Sequence, residues 1–363
     1  MPHSAPQCPT VSILVPVHNG ERFLARAIDS ALRQTLHSIE IICVDDGSTD
    51  KTPQILRRYA AQDPRIHTIT LPKNQGTLHA RVTAAQAAVG QFILSLDADD
   101  MLKPHIALRA STTAIATGAD MVAFTMLERP CGSLLLRPLL WASPRQEMLG
   151  KIIHQPRLMA LAAYGRMCNS TICNCLIARS VLLAAVGEIP DALRQRRIIY
   201  GEDTILCLLC LKHARSYTAI ADAGYCYLRH AASVTGGWPC NLSKFLQKIN
   251  DDVLLARTVQ ELIPANLQSA LMRMLLGGMS NRFFENSLKN EQNLTALAHA
   301  LDAMDRAYYK PQWREIFLAS LCRTCFLRKN PPRRCRIPLL KWLKGAVMAC
   351  LCAPLALWRS SEH

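Results

Sequence analysis

Residues 91–100 read Gln-Phe-Ile-Leu-Ser-Leu-Asp-Ala-Asp-Asp, an apolar run of strand length that ends in three carboxylates within four positions. Such a run predicts an interior strand of a parallel sheet, and acids at its carboxyl end lie where open α/β sheets place their ligands. Side chains alternate along an extended chain, so Asp97 and Asp99 point to the same side. Two such carboxylates suit Mg²⁺ or Mn²⁺ that carries substrate phosphates. The alternative is a polar turn that caps the next helix.

Strand and helix patterns alternate through the residues before this stretch. Apolar runs predict strands at 11–17, 39–44 and 66–71. A helical pattern follows each of them, with Asn19 and Thr52 as the expected caps of the first two helices. Strands that alternate with helices at this spacing predict an α/β fold with a mostly parallel sheet flanked by helices.

Glycine motifs that bind phosphate are missing from the sequence. No Gly-x-Gly-x-x-Gly follows the first strand and no Gly-x-x-x-x-Gly-Lys-Ser/Thr occurs, which disfavours a Rossmann dehydrogenase and a P-loop phosphotransferase. A nucleotidyltransferase also uses paired acids and a metal. However, that class is expected to have a glycine-rich loop where only His18-Asn19-Gly20 stands.

Acidic residues instead follow the second and fourth predicted strands. Asp45 and Asp46 could accept hydrogen bonds from a uracil-type base or a ribose hydroxyl. Asp97 and Asp99 could reach a ribose or a metal-bound diphosphate. Close like charges repel unless a cation is bound. The two pairs therefore indicate a nucleotide site at one edge of the sheet.

Four motifs occur in order: Val15-Pro16-Val17-His18-Asn19, Val44-Asp45-Asp46-Gly47-Ser48-Thr49-Asp50, Asn74-x-Gly76 leading to Ala80-Arg81, and Leu96-Asp97-Ala98-Asp99-Asp100. With them, residues 11–108 resemble the nucleotide-sugar-binding half of a family 2 glycosyltransferase with the GT-A fold. The resemblance implies that Asp46 contacts the nucleotide base and that Arg81 helps to hold the nucleotide. It also implies that Asp97 faces the ribose and that Asp99, with Asp97, binds a divalent metal, Mg²⁺ or Mn²⁺. The nucleotide-sugar site is expected to comprise Pro16, Asp45, Asp46, Arg81, Asp97 and Arg229.

Glu202 and Asp203 open an apolar helical run in the second half of the chain. They resemble the acceptor-site motif of the same family, in which the aspartate acts as catalytic base. An acceptor hydroxyl is a poor nucleophile unless a carboxylate removes its proton. Asp203 is therefore expected as the general base and Glu202 as a supporting residue. The alternative is an acidic helix N-terminus favoured by the helix dipole.

Two further segments carry weaker resemblances. Residues 173–179 read Cys-Asn-Cys-Leu-Ile-Ala-Arg and resemble a family segment in which Trp and Lys stand where this chain has cysteines. Residues 225–235 resemble the family's stretch after the last strands, which would bring Arg229 or His230 to the diphosphate. The alternative for these two residues is a basic pair that faces solvent.

The charge of the chain indicates an anionic partner. Its 363 residues carry a formal net charge of +15, and residues 316–361 contain nine basic residues and no acidic one. Beside this charge, the uncharged run 345–358 predicts peripheral attachment to an anionic membrane surface. A packed C-terminal helix and a true membrane span are the alternatives. A basic nucleic-acid-binding protein would be expected to show recognition motifs that this sequence lacks, so no nucleic-acid partner is expected.

Cysteine usage and the first residues predict the compartment. Residues 1–6 lack the pattern of a signal peptide, and the chain has 15 cysteines, which together indicate a reducing compartment. The expected location is cytoplasmic, at the inner face of the plasma membrane. The pairs Cys207/Cys210 and Cys322/Cys325 could bind zinc, but the apolar run around the first pair favours buried thiols.

The sequence therefore predicts a GT-A, Rossmann-like, mostly parallel sheet flanked by helices, with a C-terminal helical extension. The expected divisions are a flexible N-terminus (1–9), a nucleotide-sugar-binding half (10–118), an acceptor-binding half (119–236), a helical extension (237–330) and a basic, apolar tail (331–363). The expected function is metal-dependent, inverting transfer of a sugar from a nucleotide-sugar, UDP-linked in most of the resembling family. The expected acceptor is a hydroxyl on a glycan or lipid-linked intermediate of cell-surface polysaccharide or glycolipid synthesis.

Overall fold

The computed structural model describes residues 8–129, 135–139, 143–163, 171–194, 196–198 and 201–230, with a few positions between 251 and 263. The chain divides into two compact units, and every element described below belongs to the first, which consists of Met1–Gly237 and Arg257–Gln268. The basic tail and the pair Cys322/Cys325 lie outside the described residues, as does most of the predicted helical extension. The domain boundaries stay predictions.

The strands of the described residues form one ten-stranded sheet. In chain order they are β1 (Val11–Val17), β2 (Ile39–Asp45), β3 (Ile66–Thr70), β4 (Phe92–Ser95), β5 (Met101–Leu102), β6 (Met121–Arg129), β7 (Arg137–Pro138), β8 (Ile153–His154), β9 (Cys175–Ala178) and β10 (Ser216–Leu228). Neighbours follow the order β3-β2-β1-β4-β9-β6-β10-β5, with β7 on β6 and β8 on β10. The pairs among β1 to β4 are parallel, as is β6 with β10, whereas β9 runs antiparallel between β4 and β6.

Helices connect the strands and flank the sheet. They are α1 (Leu24–Leu32), α2 (Thr52–Gln62), α3 (Thr77–Ala87), α4 (Ile106–Thr117), α5 (Arg157–Ala163), α6 (Arg179–Gly187), α7 (Asp191–Arg194) and α8 (Glu202–His213). Cys207 and Cys210 of α8 are both buried. Within the described ranges, no helix has the length and apolarity needed to cross a membrane.

The two central strands are buried along their whole length. Every residue of β1 and β2 is buried, which explains why both segments read as continuous apolar runs. Glu40 of β2 is one of the buried polar residues of these two strands. Its carboxylate accepts hydrogen bonds from the Ser12 hydroxyl and from the N–H groups of Val89 and Gly90. These donors compensate a charge that would otherwise be costly to bury.

The carboxyl ends of β1, β2 and β4 meet at one edge of the sheet. Val17 lies opposite Asp45 in the pairing of β1 with β2, and Leu14 lies opposite Ser95 in the pairing of β1 with β4. Residues that follow these strands therefore gather at the edge where open α/β sheets bind ligands.

The two residues expected to cap helices, Asn19 and Thr52, do not act as caps in the structure. α1 begins at Leu24, and Asn19 adopts a positive φ of 52° outside the helix. The Asn19 Oδ1 atom accepts the N–H of Thr49 at 2.8 Å. Thr52 is the first residue of α2, and its hydroxyl accepts the N–H of Gly20 at 2.8 Å. Both side chains thus join the loops after β1 and β2 to each other, which leaves them unavailable as caps.

We expect Gly47→Ala to destabilise the fold more than Gly118→Ala. The two glycines have φ values of +64° and +65°, so both variants carry left-handed strain of about 1–2 kcal/mol. A Cβ at Gly47 would also lie 2.6 Å from the backbone carbonyl carbon of Lys73, whereas no described atom lies within 4 Å of one at Gly118. This overpacking adds about 1–3 kcal/mol. Urea unfolding measures the difference, and equal losses in the two variants would contradict the close approach at Gly47.

Candidate active site

Asp45 and Asp46, at the end of β2, use their buried carboxylates differently. Asp46 accepts the N–H groups of Gln75 and Gly76 at 2.7 and 2.8 Å, so both of its oxygens hold the loop before α3. Asp45 Oδ1 accepts the N–H of Ser48 at 3.0 Å. Its buried Oδ2 has no hydrogen-bond partner among the described residues. The available acceptor is therefore on Asp45, whereas the sequence favoured Asp46 for the nucleotide base.

Arg81 of α3 is buried and joins the turn after β4 to the start of α8. Its guanidinium donates to the Ser95 hydroxyl and, at 2.7 Å, to Asp97 Oδ1. The same nitrogen lies 3.0 Å from Asp203 Oδ1. Burial disfavours the charge of Arg81, but Asp203 and Asp97 outweigh that effect and raise its pKa well above the usual value. One permanent positive charge thus lies between the carboxylate after β4 and a carboxylate at the start of α8.

The turn after β4 is held by β10. Tyr225 is fully buried, and its hydroxyl donates to Asp100 Oδ2 at 2.7 Å and accepts the N–H of Asp97 at 3.1 Å. Asp100 Oδ1 accepts the N–H of Leu228 at 2.7 Å. Burial and the neighbouring Asp99 raise the pKa of Asp100 well above the usual value. Asp100 therefore binds β10 through both of its oxygens.

Asp99, the other acid of this turn, faces His230. Its Oδ2 lies 2.9 Å from His230 Nε2, and the His230 ring packs on Phe23 with ring centroids 4.3 Å apart. Burial and the nearby Asp97 raise the pKa of Asp99, and His230 opposes the shift. Of the two basic residues that the sequence singled out after β10, His230 is thus the one at the acids.

Two residues expected at the nucleotide site add no polar group to this cluster. Pro16 is buried in β1 opposite Val44, where its ring can contribute shape but no hydrogen bond. Arg229 has a side chain that is 58% exposed and pairs with Glu128 at 2.7 Å. Arg229 matches the solvent-facing alternative more closely, and its role at the diphosphate stays a prediction.

The two acids at the start of α8 differ in their partners. Asp203 Oδ2 accepts the hydroxyl of Thr171 at 3.1 Å, while Oδ1 pairs with Arg81. Burial raises the pKa of Asp203, and Arg81 and Thr171 oppose that rise. Burial and the charge of Asp203 raise the pKa of Glu202 to about 8. With a pKa of about 8, Glu202 is mostly protonated at neutral pH.

A third residue, which the sequence did not assign, completes the cluster. The ligand atoms of Asp97, Cys173 and Asp203 lie within 4.8 Å of one another, a grouping that could hold a metal ion. The Cys173 thiol donates to Asp97 Oδ2 at 3.6 Å. Burial and the two aspartates raise its pKa well above the usual value, so it is a neutral thiol. In the sequence, the one signal for Cys173 was the segment 173–179, in which the resembling family has Trp and Lys where this chain has cysteines.

Comparisons with known proteins identify the class of this domain. Residues 12–177 match the family model described as Glycosyl transferase family 2. This part of the chain is a family 2 glycosyltransferase domain, as the four sequence motifs predicted.

Among curated relatives, the chondroitin synthase of Escherichia coli is 28% identical over 225 residues, which cover 59% of this chain and 32% of that protein. The uncharacterized glycosyltransferase EpsJ of Bacillus subtilis is 42% identical over 114 residues, or 31% of this chain and 33% of that protein. The chain thus spans about a third of the length of the curated relatives that it matches.

Among solved structures, S. aureus TarS 1-349 in complex with UDP-GlcNAc superimposes with a TM-score of 0.54 at 16% identity, covering 94% of this chain and 89% of TarS. At this level of identity, the similarity concerns the fold. Together with the family match, it confirms the GT-A fold and the mostly parallel sheet expected from the sequence.

We expect Tyr225→Phe to destabilise the protein by about 1–3 kcal/mol, because Asp100 Oδ2 would keep its burial and lose its donor. Urea unfolding of this variant, of Asp100→Asn and of the double variant gives the coupling between the two residues. Residues in direct contact couple by about 0.5–3 kcal/mol. Additive effects of the two substitutions would contradict the hydrogen bond.

Proposed function

We propose that the chain is an inverting glycosyltransferase that moves a sugar from a nucleotide-sugar to a hydroxyl of a glycan or lipid-linked acceptor. The setting would be the synthesis of cell-surface polysaccharide or glycolipid. The observation that carries the proposal is the position of Arg81 between Asp97 and Asp203, since it joins a donor-side carboxylate to an acceptor-side carboxylate. The family match and the chondroitin synthase relative support the reaction class and the setting.

A UDP-sugar is the proposed donor. The buried Asp45 Oδ2 has no partner in the described part of the chain. A buried, unpaired acceptor favours a ligand that donates a hydrogen bond to it, and the ring N–H of uracil is such a donor. The UDP-GlcNAc in the TarS structure supports the same class of donor. Asp46 would act indirectly by holding the loop of Gln75 and Gly76 beside the base.

Asp97 and Asp99 are the proposed ligands of Mg²⁺ or Mn²⁺. Their side chains are 33% and 31% exposed, so an ion with its waters can reach them. The raised pKa of Asp99 reflects burial and repulsion by Asp97, which a cation would relieve. Hard divalent ions prefer these oxygens to the thiol of Cys173. When bound, such an ion supplies neutralisation of the charge on the leaving diphosphate.

Asp203 is the proposed general base. As the acceptor oxygen bonds to the anomeric carbon, its proton passes to a carboxylate oxygen of Asp203. The bond to the nucleoside diphosphate breaks and its electron pair leaves with the diphosphate, so a single displacement inverts the anomeric centre. Arg81 favours the ionised form of Asp203, and Thr171 orients its other oxygen. Glu202, protonated at neutral pH, can donate a hydrogen bond that orients the acceptor.

Membrane attachment through residues 331–363 is a further part of the proposal. This tail lies outside the described residues, so its support is composition: basic residues beside the uncharged run 345–358. Such a segment favours an anionic leaflet. The proposed site of action is therefore cytoplasmic, at the inner face of the plasma membrane.

We expect Asp203→Asn to lower kcat by about 10²–10⁴-fold while donor binding is kept, because an amide cannot accept the proton of the acceptor hydroxyl. Asp99→Asn should instead weaken the Mn²⁺-dependent binding of a UDP-sugar. Transfer or hydrolysis assays measure turnover, and thermal shift measures binding, since a bound donor raises apparent stability. Asp222→Asn, which removes an exposed ion pair with Arg109, is the control. Full turnover in Asp203→Asn or Asp99→Asn would contradict these roles.

We expect Arg81→Gln to move the acid limb of the kcat profile to higher pH. Asp203 acts only when ionised, and the positive charge of Arg81 lowers its pKa. Loss of that charge therefore raises the pH at which the base becomes active. Rates at saturating UDP-sugar across the acid limb measure the shift. Arg65→Gln, which removes a surface pair with Asp63, should leave the limb in place. An unmoved limb in Arg81→Gln would show that Arg81 does not act on the base.

A further inference from the structure

A pocket of about 220 Å³ opens at the β5 end of the sheet. The residues that line it have no part in the proposed reaction. Its wall combines cationic and apolar side chains. The residues that matter here are Arg33, Met101, Lys103, Pro104, Arg129 and Leu136. No carboxylate is among the described residues that line it. The pocket is therefore positively charged, as expected of a site that binds an anion, and part of its wall is apolar.

The cations of this pocket come from separate elements. Arg33 is exposed directly after α1, Lys103 follows β5, and Arg129 is the last residue of β6. Burial raises the pKa of the Cys226 thiol in the pocket wall, and the charges of Lys103 and Arg129 both oppose that rise. The charges of Lys103 and Arg129 therefore both act on the same wall of the pocket. With Arg33, three cations that are distant in sequence line one pocket.

Exposed leucines stand beside these cations. Leu135 is 79% exposed and Leu136 is 39% exposed, and both directly precede β7. The next residue, Arg137, is exposed and pairs with the buried Glu128 of β6. Adjacent exposed leucines are unusual on a soluble face, whereas leucines next to cations are typical of surfaces that enter the membrane interface.

We propose that this pocket binds the phosphate headgroup of an anionic membrane lipid, and that Leu135 and Leu136 enter the interface beside it. The cations match the headgroup charge, and long basic side chains can place their apolar stems along the leucines while their charged ends reach the phosphate. A free phosphate ion has no apolar part that could contact the leucines, and a nucleic acid would favour a polar or aromatic wall. This contact lies in the catalytic domain itself, separate from the tail, and does not depend on the glycosyl transfer proposed above.

Flotation of the full chain with vesicles tests the proposal, using phosphatidylcholine alone and phosphatidylcholine mixed with phosphatidylglycerol. Arg33→Glu with Lys103→Glu should lower binding to the anionic vesicles at least about tenfold, because each basic residue near the surface contributes to the attraction. Lys51→Glu with Arg58→Glu is the control, since it makes the same change of net charge at α2. A control that loses as much binding as the test variant would overturn the proposal in favour of diffuse attraction.

Leu135→Ser with Leu136→Ser tests the apolar part and should also lower binding to anionic vesicles by several-fold, with net charge unchanged. Unchanged vesicle binding in this variant would overturn the insertion of the leucines. Binding of free glycerol phosphate as tight as the binding to anionic vesicles, or equal binding to an oligonucleotide, would overturn the assignment to a lipid. Thermal shift by a UDP-sugar should persist in every variant, which shows that each one folds. A protein that binds vesicles as expected but no UDP-sugar would contradict the proposed function and leave this inference standing.

Discussion

The pairing of the buried Arg81 with Asp97 and Asp203 is the interaction on which the site depends. A charge buried with its partners is stable, but removal of one partner of such a pair costs about 3–5 kcal/mol, because the remaining charge stays out of water. The carboxylate after β4 and the one on α8 are therefore not independent. Each requires the guanidinium, and the guanidinium requires both, so the turn after β4 and the start of α8 form one electrostatic unit.

Around this unit, each run of acids contains one carboxylate that binds other parts of the chain through both of its oxygens. Both carboxylate oxygens of Asp46 accept hydrogen bonds from the loop before α3. In the neighbouring Asp45, Oδ2 has no hydrogen-bond partner among the described residues. Both carboxylate oxygens of Asp100 accept hydrogen bonds from β10, whereas the side chain of Asp99 is partly exposed. In both runs one carboxylate fixes the backbone so that the adjacent one is held in a defined position. This arrangement explains why both runs contain consecutive acids despite their repulsion.

The sheet and its ligand edge were predictable because they rest on local patterns. Buried parallel strands need apolar residues on both faces, so β1 and β2 are visible as runs, and the acids after them follow by position. The contacts of Tyr225, Thr171 and Cys173 were not predictable in this way. Each depends on a chain segment that returns to the edge from far along the sequence, and a lone hydroxyl or thiol carries no periodic signal. For the same reason the sequence could not distinguish Asp45 from Asp46 or His230 from Arg229, since only the partners of each side chain separate them.

The antiparallel direction of β9 has a consequence for how the protein is made. Because β9 runs against β4, its amino end lies at the carboxyl end of β4, and the preceding Thr171 and Cys173 thereby reach the acids. During synthesis, β4 has no partner on that side until the ribosome has released the chain through Ala178. The nascent amino-terminal half then carries an open strand edge, the feature by which incomplete chains associate with one another. Insertion of β9 closes that edge and places Cys173 beside Asp97, so protection from aggregation and the first cross-sheet contact of the site come from the same step, before Asp203 and Tyr225 are made.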